Sequence, residues 1–174
     1  MSLKVDIHQE VEPSSPWEYE ESIGFISTHK RFQNRNTEIK ASDFSSMEEI
    51  ESYLKKQGYI FQKVFCYDHS GVTIKAGETN PFHCQWDSFP FGYLILSKAE
   101  ARSVFLCKRV SKKTLEKAQK LLIGFSETWN SFLIGDIYGW EITDEEGEVV
   151  DSCYGYYGYK ECEKAGQEAL SSYS

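Results

Sequence analysis

A single stretch constrains the fold more than any other. Between about Ser111 and Leu133, the residues Leu115, Ala118, Leu121, Leu122, Phe125, Trp129 and Phe132 recur at spacings of three and four. That spacing places them on one side of a helix of 3.6 residues per turn, and Gly135 follows as a natural stop. A helix this long with one apolar face is stable only when another layer covers that face. The stripe is therefore read as core, and the rest of the chain must supply its cover.

Short strands supply it. Leu3, Val5 and Ile7 alternate with polar residues, and Ile23–Ile26 forms a brief apolar run. Tyr59 to Tyr67 is rich in aromatic and β-branched residues, and the turn sequence Asp68-His69-Ser70-Gly71 leads into Val72-Thr73-Ile74. Residues 76–90 read as loop and Phe91 to Leu96 as strand. Ile137–Ile142 and Glu148–Ser152 read as a hairpin around Asp144-Glu145-Glu146-Gly147, with Gly147 setting the turn. Tyr154 to Tyr159 reads as an aromatic turn and Glu161–Leu170 as a terminal helix. Two capping boxes mark further helix starts, Ser45 with Glu48 and Ser97 with Glu100, and Gly58 closes the first of these helices. Sequential strands joined by short turns predict an α+β fold, an antiparallel sheet with helices packed on it. At 174 residues, with neither repeat nor linker, residues 1–174 are expected to form a single domain.

Charge is unevenly spread. Residues 1–28 carry one Lys and six acids, residues 29–120 carry sixteen Lys/Arg and ten acids, and residues 121–174 carry two Lys and eleven acids. The net −8 and the acidic end argue against direct nucleic-acid binding and favour a basic protein partner. Five widely spaced cysteines without a CxxC fit free thiols in a reducing cytoplasm. No apolar run approaches the roughly 20 residues of a membrane helix and no signal-like leader opens the chain, so membrane insertion and secretion are not expected.

Chemically able side chains gather in two loop segments, Tyr67 to Gly71 and Phe82 to Ser88. Strand–turn–strand geometry should bring Asp68, His69, Cys84, Trp86 and Asp87 together. A small hydrolase would use Cys84 as nucleophile, His69 as base and Asp68 or Asp87 to orient it. No cysteine-hydrolase signature surrounds Cys84, and Ser70 lacks a GxSxG elbow. The structural reading has Asp68 and Ser70 capping the turn while His69 ties it to the Trp86-Asp87 loop. Cys66, His69, His83, Cys84 and Cys153 have zinc-ligand chemistry but no zinc-finger spacing, so no metal is assigned. No phosphate-binding glycine motif occurs, and no cofactor is expected. The basic segment His29 to Asn36 reads as an exposed loop in which Lys30, Arg31 and Arg35 could grip a phosphate or carboxylate.

Four blocks carry a resemblance. They are Tyr67-Asp68-His69-Ser70-Gly71-Val72-Thr73-Ile74, Cys84-Gln85-Trp86-Asp87-Ser88, Gly135-Asp136-Ile137-Tyr138-Gly139 and Asp151-Ser152-Cys153-Tyr154-Gly155-Tyr156-Tyr157-Gly158. In this order, across about residues 60–159, the chain resembles a family of small proteins carried by phages and other bacterial mobile elements. It departs from that pattern at His83 where the family has Ser, at Gln85 for Pro and at Phe89 for Gly. The resemblance implies a habitat, the cytoplasm of a bacterial host, rather than a reaction. Accessory proteins of that habitat often counter host defence nucleases, as anti-CRISPR and antirestriction proteins do. The expectation is a protein that binds a host partner, a nucleic-acid-binding nuclease, through Asp144, Glu145, Glu146, Glu148, Trp86 and Asp87. The alternatives are the Cys84/His69/Asp68 hydrolase and a structural component of the phage or plasmid.

Overall fold

A computed structural model describes residues 2–173. The strands are β1 (Lys4–Gln9), β2 (Gly24–Ser27), β3 (Ile60–Asp68), β4 (Val72–Ala76), β5 (Ser88–Leu96), β6 (Ile137–Thr143) and β7 (Val149–Tyr157). The helices are α1 (Met47–Gln57), α2 (Lys98–Val104), α3 (Lys112–Ile134) and α4 (Tyr159–Ser171). The class is the expected antiparallel α+β, with the strands divided between two sheets ordered β2-β5-β3-β4 and β1-β6-β7. The chain correspondingly divides into two compact units, Pro16–Asn130 and the segments on either side of it. Among the described residues no helix is long and apolar enough to cross a membrane.

In the larger unit β5 is the central strand, paired with β2 on one edge and β3 on the other. Its last six residues are buried without alternation, because both faces of the sheet are covered. On one face Ile26, Tyr93 and Ile95 pack with Ile50 and Leu54 of α1. On the other, Phe25 and Phe91 meet Trp129 of α3 at ring separations of 5.0 and 5.7 Å, and Trp17 closes the cluster 5.2 Å from Trp129.

A bulge in β5 makes that second cluster possible. Val64 pairs with Gly92 and Phe65 with Pro90, so Phe91 is the extra residue. Regular alternation would put Phe91 on the same face as Tyr93. The bulge instead turns it against Phe25 and Trp129. It also accommodates Pro90, a residue expected in the loop: β5 begins at Ser88, three residues before Phe91. Beside the bulge, the Phe25 ring lies across Gly92. A Cβ at that position would overlap the Phe25 ring and the Ile26 carbonyl oxygen.

Local signals hold with small shifts. The α1 cap is Ser46, not Ser45. The Ser46 hydroxyl accepts the Glu49 N–H at 3.2 Å, and Glu49, not Glu48, reaches back to the Ser45 N–H at 2.6 Å. The Ser97 hydroxyl caps α2 through the Glu100 N–H as expected. On α3 the buried line is Thr114, Ala118, Leu122, Ser126 and Trp129. Leu115, assigned to the core by its spacing, is 38 % exposed and lines a cleft of about 400 Å³ beside Tyr59 and Lys63.

In the smaller unit α4 packs on the β1-β6-β7 sheet through Cys162, Ala165 and Ala169, against Val5, Trp140 and Ile142. Gly166 permits this approach: a Cβ there would lie 2.8 Å from Val5 Cγ2 and 3.1 Å from Trp140 Cβ. The expected aromatic turn at Tyr154–Tyr159 is instead the end of β7 and the start of α4. Tyr154 belongs to the strand because its ring lies flat over Gly139 of β6, where any side chain would collide with it. Its hydroxyl donates to Glu141.

The crowding at Gly92 generates a prediction. Gly92→Ala should lower stability by about 3 kcal/mol, since the new methyl meets backbone as well as a ring. The test is a shift of the urea midpoint at constant slope. A loss under about 0.5 kcal/mol would show that β2 can move away from β5 without cost.

Candidate functional site

Three loops of the larger unit converge at one end of its sheet, and the strand register explains why. The β3–β4 register pairs Asp68 with Val72, which leaves His69, Ser70 and Gly71 as the turn. The β3–β5 register pairs Tyr67 with Ser88, so the residues just before Ser88 arrive beside that turn. The Asp68 N–H continues the ladder by donating to the Asp87 carbonyl at 2.8 Å. From the other edge, the Thr28 N–H donates to the Phe91 carbonyl at 3.0 Å, which brings the loop after β2 alongside.

Asp87 is the hub. Its Oδ2 receives His69 Nδ1 at 3.0 Å and the Cys84 thiol at 3.6 Å, so His69 must carry a proton on Nδ1. Below it Ser88 is buried and donates its hydroxyl to the Cys84 carbonyl, while Asn80 Nδ2 donates to Ser88 Oγ at 2.8 Å. Tyr67 stacks between His69 and Phe82, at ring separations of 6.2 and 5.6 Å. Asp68 turns elsewhere: its Oδ2 takes Arg31 Nη1 at 2.5 Å. The carboxylate grip anticipated for the basic loop is thus made within the chain by Arg31. Arg35 instead bridges to Phe25 through its backbone.

The side chains of His69, Cys84 and Asp87 meet here, and Asp68 joins them through its backbone N–H. The catalytic order is absent. A thiol nucleophile needs its imidazole within about 3 Å to accept the proton. Here the Asp87 carboxylate stands between Cys84 and His69, and Asp68 is occupied by Arg31. Trp86 makes no part of this network and is 94 % exposed. The loop that carries it is nonetheless tied down on both sides, by Cys84 and by Asp87.

Of the zinc candidates, Cys66 is fully buried within β3, and burial, with the Asp68 charge added, pushes its thiol up to about 11. His83 is exposed and Cys153 belongs to the other unit. No group of three His, Cys, Asp or Glu among the described residues is placed to hold a metal ion.

The acidic tip of the smaller unit divides into two kinds of residue. Asp144 organises the turn: its Oδ1 accepts the Glu146 N–H at 3.0 Å and the Glu148 N–H at 2.9 Å, and its carbonyl accepts the Gly147 N–H at 3.1 Å. Gly147, at φ 84°, therefore does not set the turn alone, and Asp144 holds it as well. Glu145, Glu146 and Glu148 are exposed, and Glu145 also accepts the Ser2 N–H at 2.5 Å. The Asp144 role was legible in principle, since an Asx residue two positions before an N–H is a turn signal.

No family model, curated protein or solved structure matches this chain.

The split within the tip is testable by unfolding. Asp144→Ala should cost about 1–2 kcal/mol, since two backbone N–H groups lose their acceptor. Glu146→Ala should stay within about 0.5 kcal/mol. Equal effects at the two positions would contradict the assignment of Asp144 to the turn.

Proposed function

We propose that this protein acts by binding a protein partner through the loop face around Trp86. The supporting observation is the pairing of an almost fully exposed tryptophan with a loop braced on both sides of it. A large flat apolar side chain on pre-ordered backbone is the usual form of a binding hot spot, because little entropy is lost when it is covered. Asp87, on the same loop, has its carboxylate committed to His69 and Cys84 and so serves to hold the loop in place. The second reading, a Cys84/His69 hydrolase, lacks the thiol–imidazole contact that its chemistry needs.

The partner in this reading is basic. The exposed Glu145, Glu146 and Glu148 and the net charge of −8 favour a basic surface and repel nucleic acid itself. Joined to the resemblance to mobile-element proteins, this points to an accessory protein that inhibits a host defence nuclease in the bacterial cytoplasm, its acidic tip engaging the groove where the nuclease holds nucleic acid.

The protein captured from host lysate, identified and purified, provides the assay. Trp86→Ala should weaken its binding by about 2 kcal/mol or more, roughly thirtyfold, and relieve inhibition of cleavage in proportion. Cys84→Ser should bind as the wild type does. Wild-type affinity in Trp86→Ala would refute the loop face as the docking site. A turnover activity lost by several orders of magnitude in Cys84→Ser would replace binding with nucleophilic catalysis.

A further inference from the structure

A second concave site lies in the larger unit, in the loop that follows β2. It is a cleft of about 570 Å³ lined by Lys30, Lys40, His29, Asn34, Phe32 and Ser42 among others, and no carboxylate lines it. Neither Lys30 nor Lys40 forms an ion pair among the described residues, whereas the neighbouring Arg31 is held by Asp68. In a chain of net charge −8, a pocket whose charged lining is two uncompensated lysines is a local reversal of sign.

The walls are built. Asn34 stitches them, its Oδ1 accepting the Ser27 N–H at 2.8 Å and its Nδ2 donating to the Ile39 carbonyl at 2.6 Å. Ser27 Oγ donates to the His29 carbonyl at 2.8 Å. The His29 ring stacks on Phe89 at 4.8 Å, and its Nδ1 accepts the Arg31 N–H at 3.2 Å. In the neutral ring Nε2 therefore carries the proton and is a donor. Phe32, packed edge-on against Phe91 at 4.9 Å, and Ala41 add apolar surface beside these donors.

We infer that this cleft binds a small phosphate-bearing ligand with a flat ring, of the nucleoside monophosphate class. Lys30 and Lys40 are the phosphate contacts and Phe32 the surface for the ring. A phosphate alone would leave most of the cleft empty, whereas this volume is in the range of pockets for organic ligands. Lysine serves such a phosphate as a mobile point charge and needs no fixed fork geometry. The assignment is independent of the loop face at Trp86, which contributes no residue to the cleft.

The experiment is calorimetric titration of the full chain at low ionic strength with AMP, adenosine and inorganic phosphate in turn. AMP should bind saturably and more tightly than either fragment. Lys30→Ala with Lys40→Ala should weaken AMP at least about tenfold, the scale of one lost charge-assisted hydrogen bond. The corresponding double arginine variant should retain most of the affinity. Lys108→Ala with Lys112→Ala, an equal change in net charge at exposed sites outside the cleft, should leave it unchanged. Absence of AMP binding, wild-type affinity in the double alanine variant, or an equal loss in the Lys108/Lys112 control would overturn the site. Adenosine binding as tightly as AMP would overturn the phosphate assignment, and inorganic phosphate doing so would overturn the ring.

Discussion

The close approach of β2 to β5 over Gly92 is the constraint on which the larger unit depends. With no Cβ in the way, the Phe25 ring lies across the central strand and reaches Trp129 of α3. The bulge at Phe91 adds a third ring to the same face. Close packing of this kind leaves little freedom to slide, since a lost contact in a dense core is not regained elsewhere. The register of β2 then determines where the following loop begins, and Thr28 binds the β5 backbone as it leaves the sheet. His29 can stack on Phe89 and Arg31 can reach Asp68 because of that register.

The loop face is a consequence of the same geometry. Asp87 joins three groups from two loops: the His69 ring, the Cys84 thiol and, through its carbonyl, the Asp68 N–H. Each contact is partly exposed and contributes little singly. Together they restrict the backbone on either side of Trp86. The residues that looked catalytic in sequence thus explain why the loop is ordered, and the residue outside their network, Trp86, is the one presented to solvent. In the smaller unit the analogous devices are Gly139 beneath Tyr154 and Gly166 on the sheet-facing side of α4, each admitting an aromatic or aliphatic group where a side chain would not fit.

Much of this was legible from residues alone, and the misses have identifiable causes. Class, element order and the gathering of Asp68, His69, Cys84 and Asp87 follow from periodicity and turn chemistry. The capping box shifted by one because Ser45-Ser46 precede Glu48-Glu49, and both pairings satisfy the same pattern. Leu115 left the core because Thr114 occupies the buried line, a rotation of one residue that apolar spacing cannot resolve. Pro90 hid the start of β5, since a proline inside a central strand is excluded unless a bulge removes the need for its N–H. Gly155 and Gly158 suggested a turn at Tyr154–Tyr159, yet the Gly139 partner that holds Tyr154 in the strand lies fifteen residues earlier. The hub role of Asp87 and the Arg31–Asp68 pair depend on side-chain directions across three loops, which no local pattern encodes.

The central claim is that Asp87 braces the loop that presents Trp86. Amide hydrogen exchange, read residue by residue in the wild type and in Asp87→Ala, tests it most directly. The account predicts a protected amide at Asp68, whose N–H is held by the Asp87 carbonyl, in the wild type. In the variant, exchange should accelerate across residues 80–88 while the β3–β5 amides from Ile60 to Val64 keep their protection. Exchange of that loop at solvent rates in the wild type, or an unchanged pattern in Asp87→Ala, would contradict it.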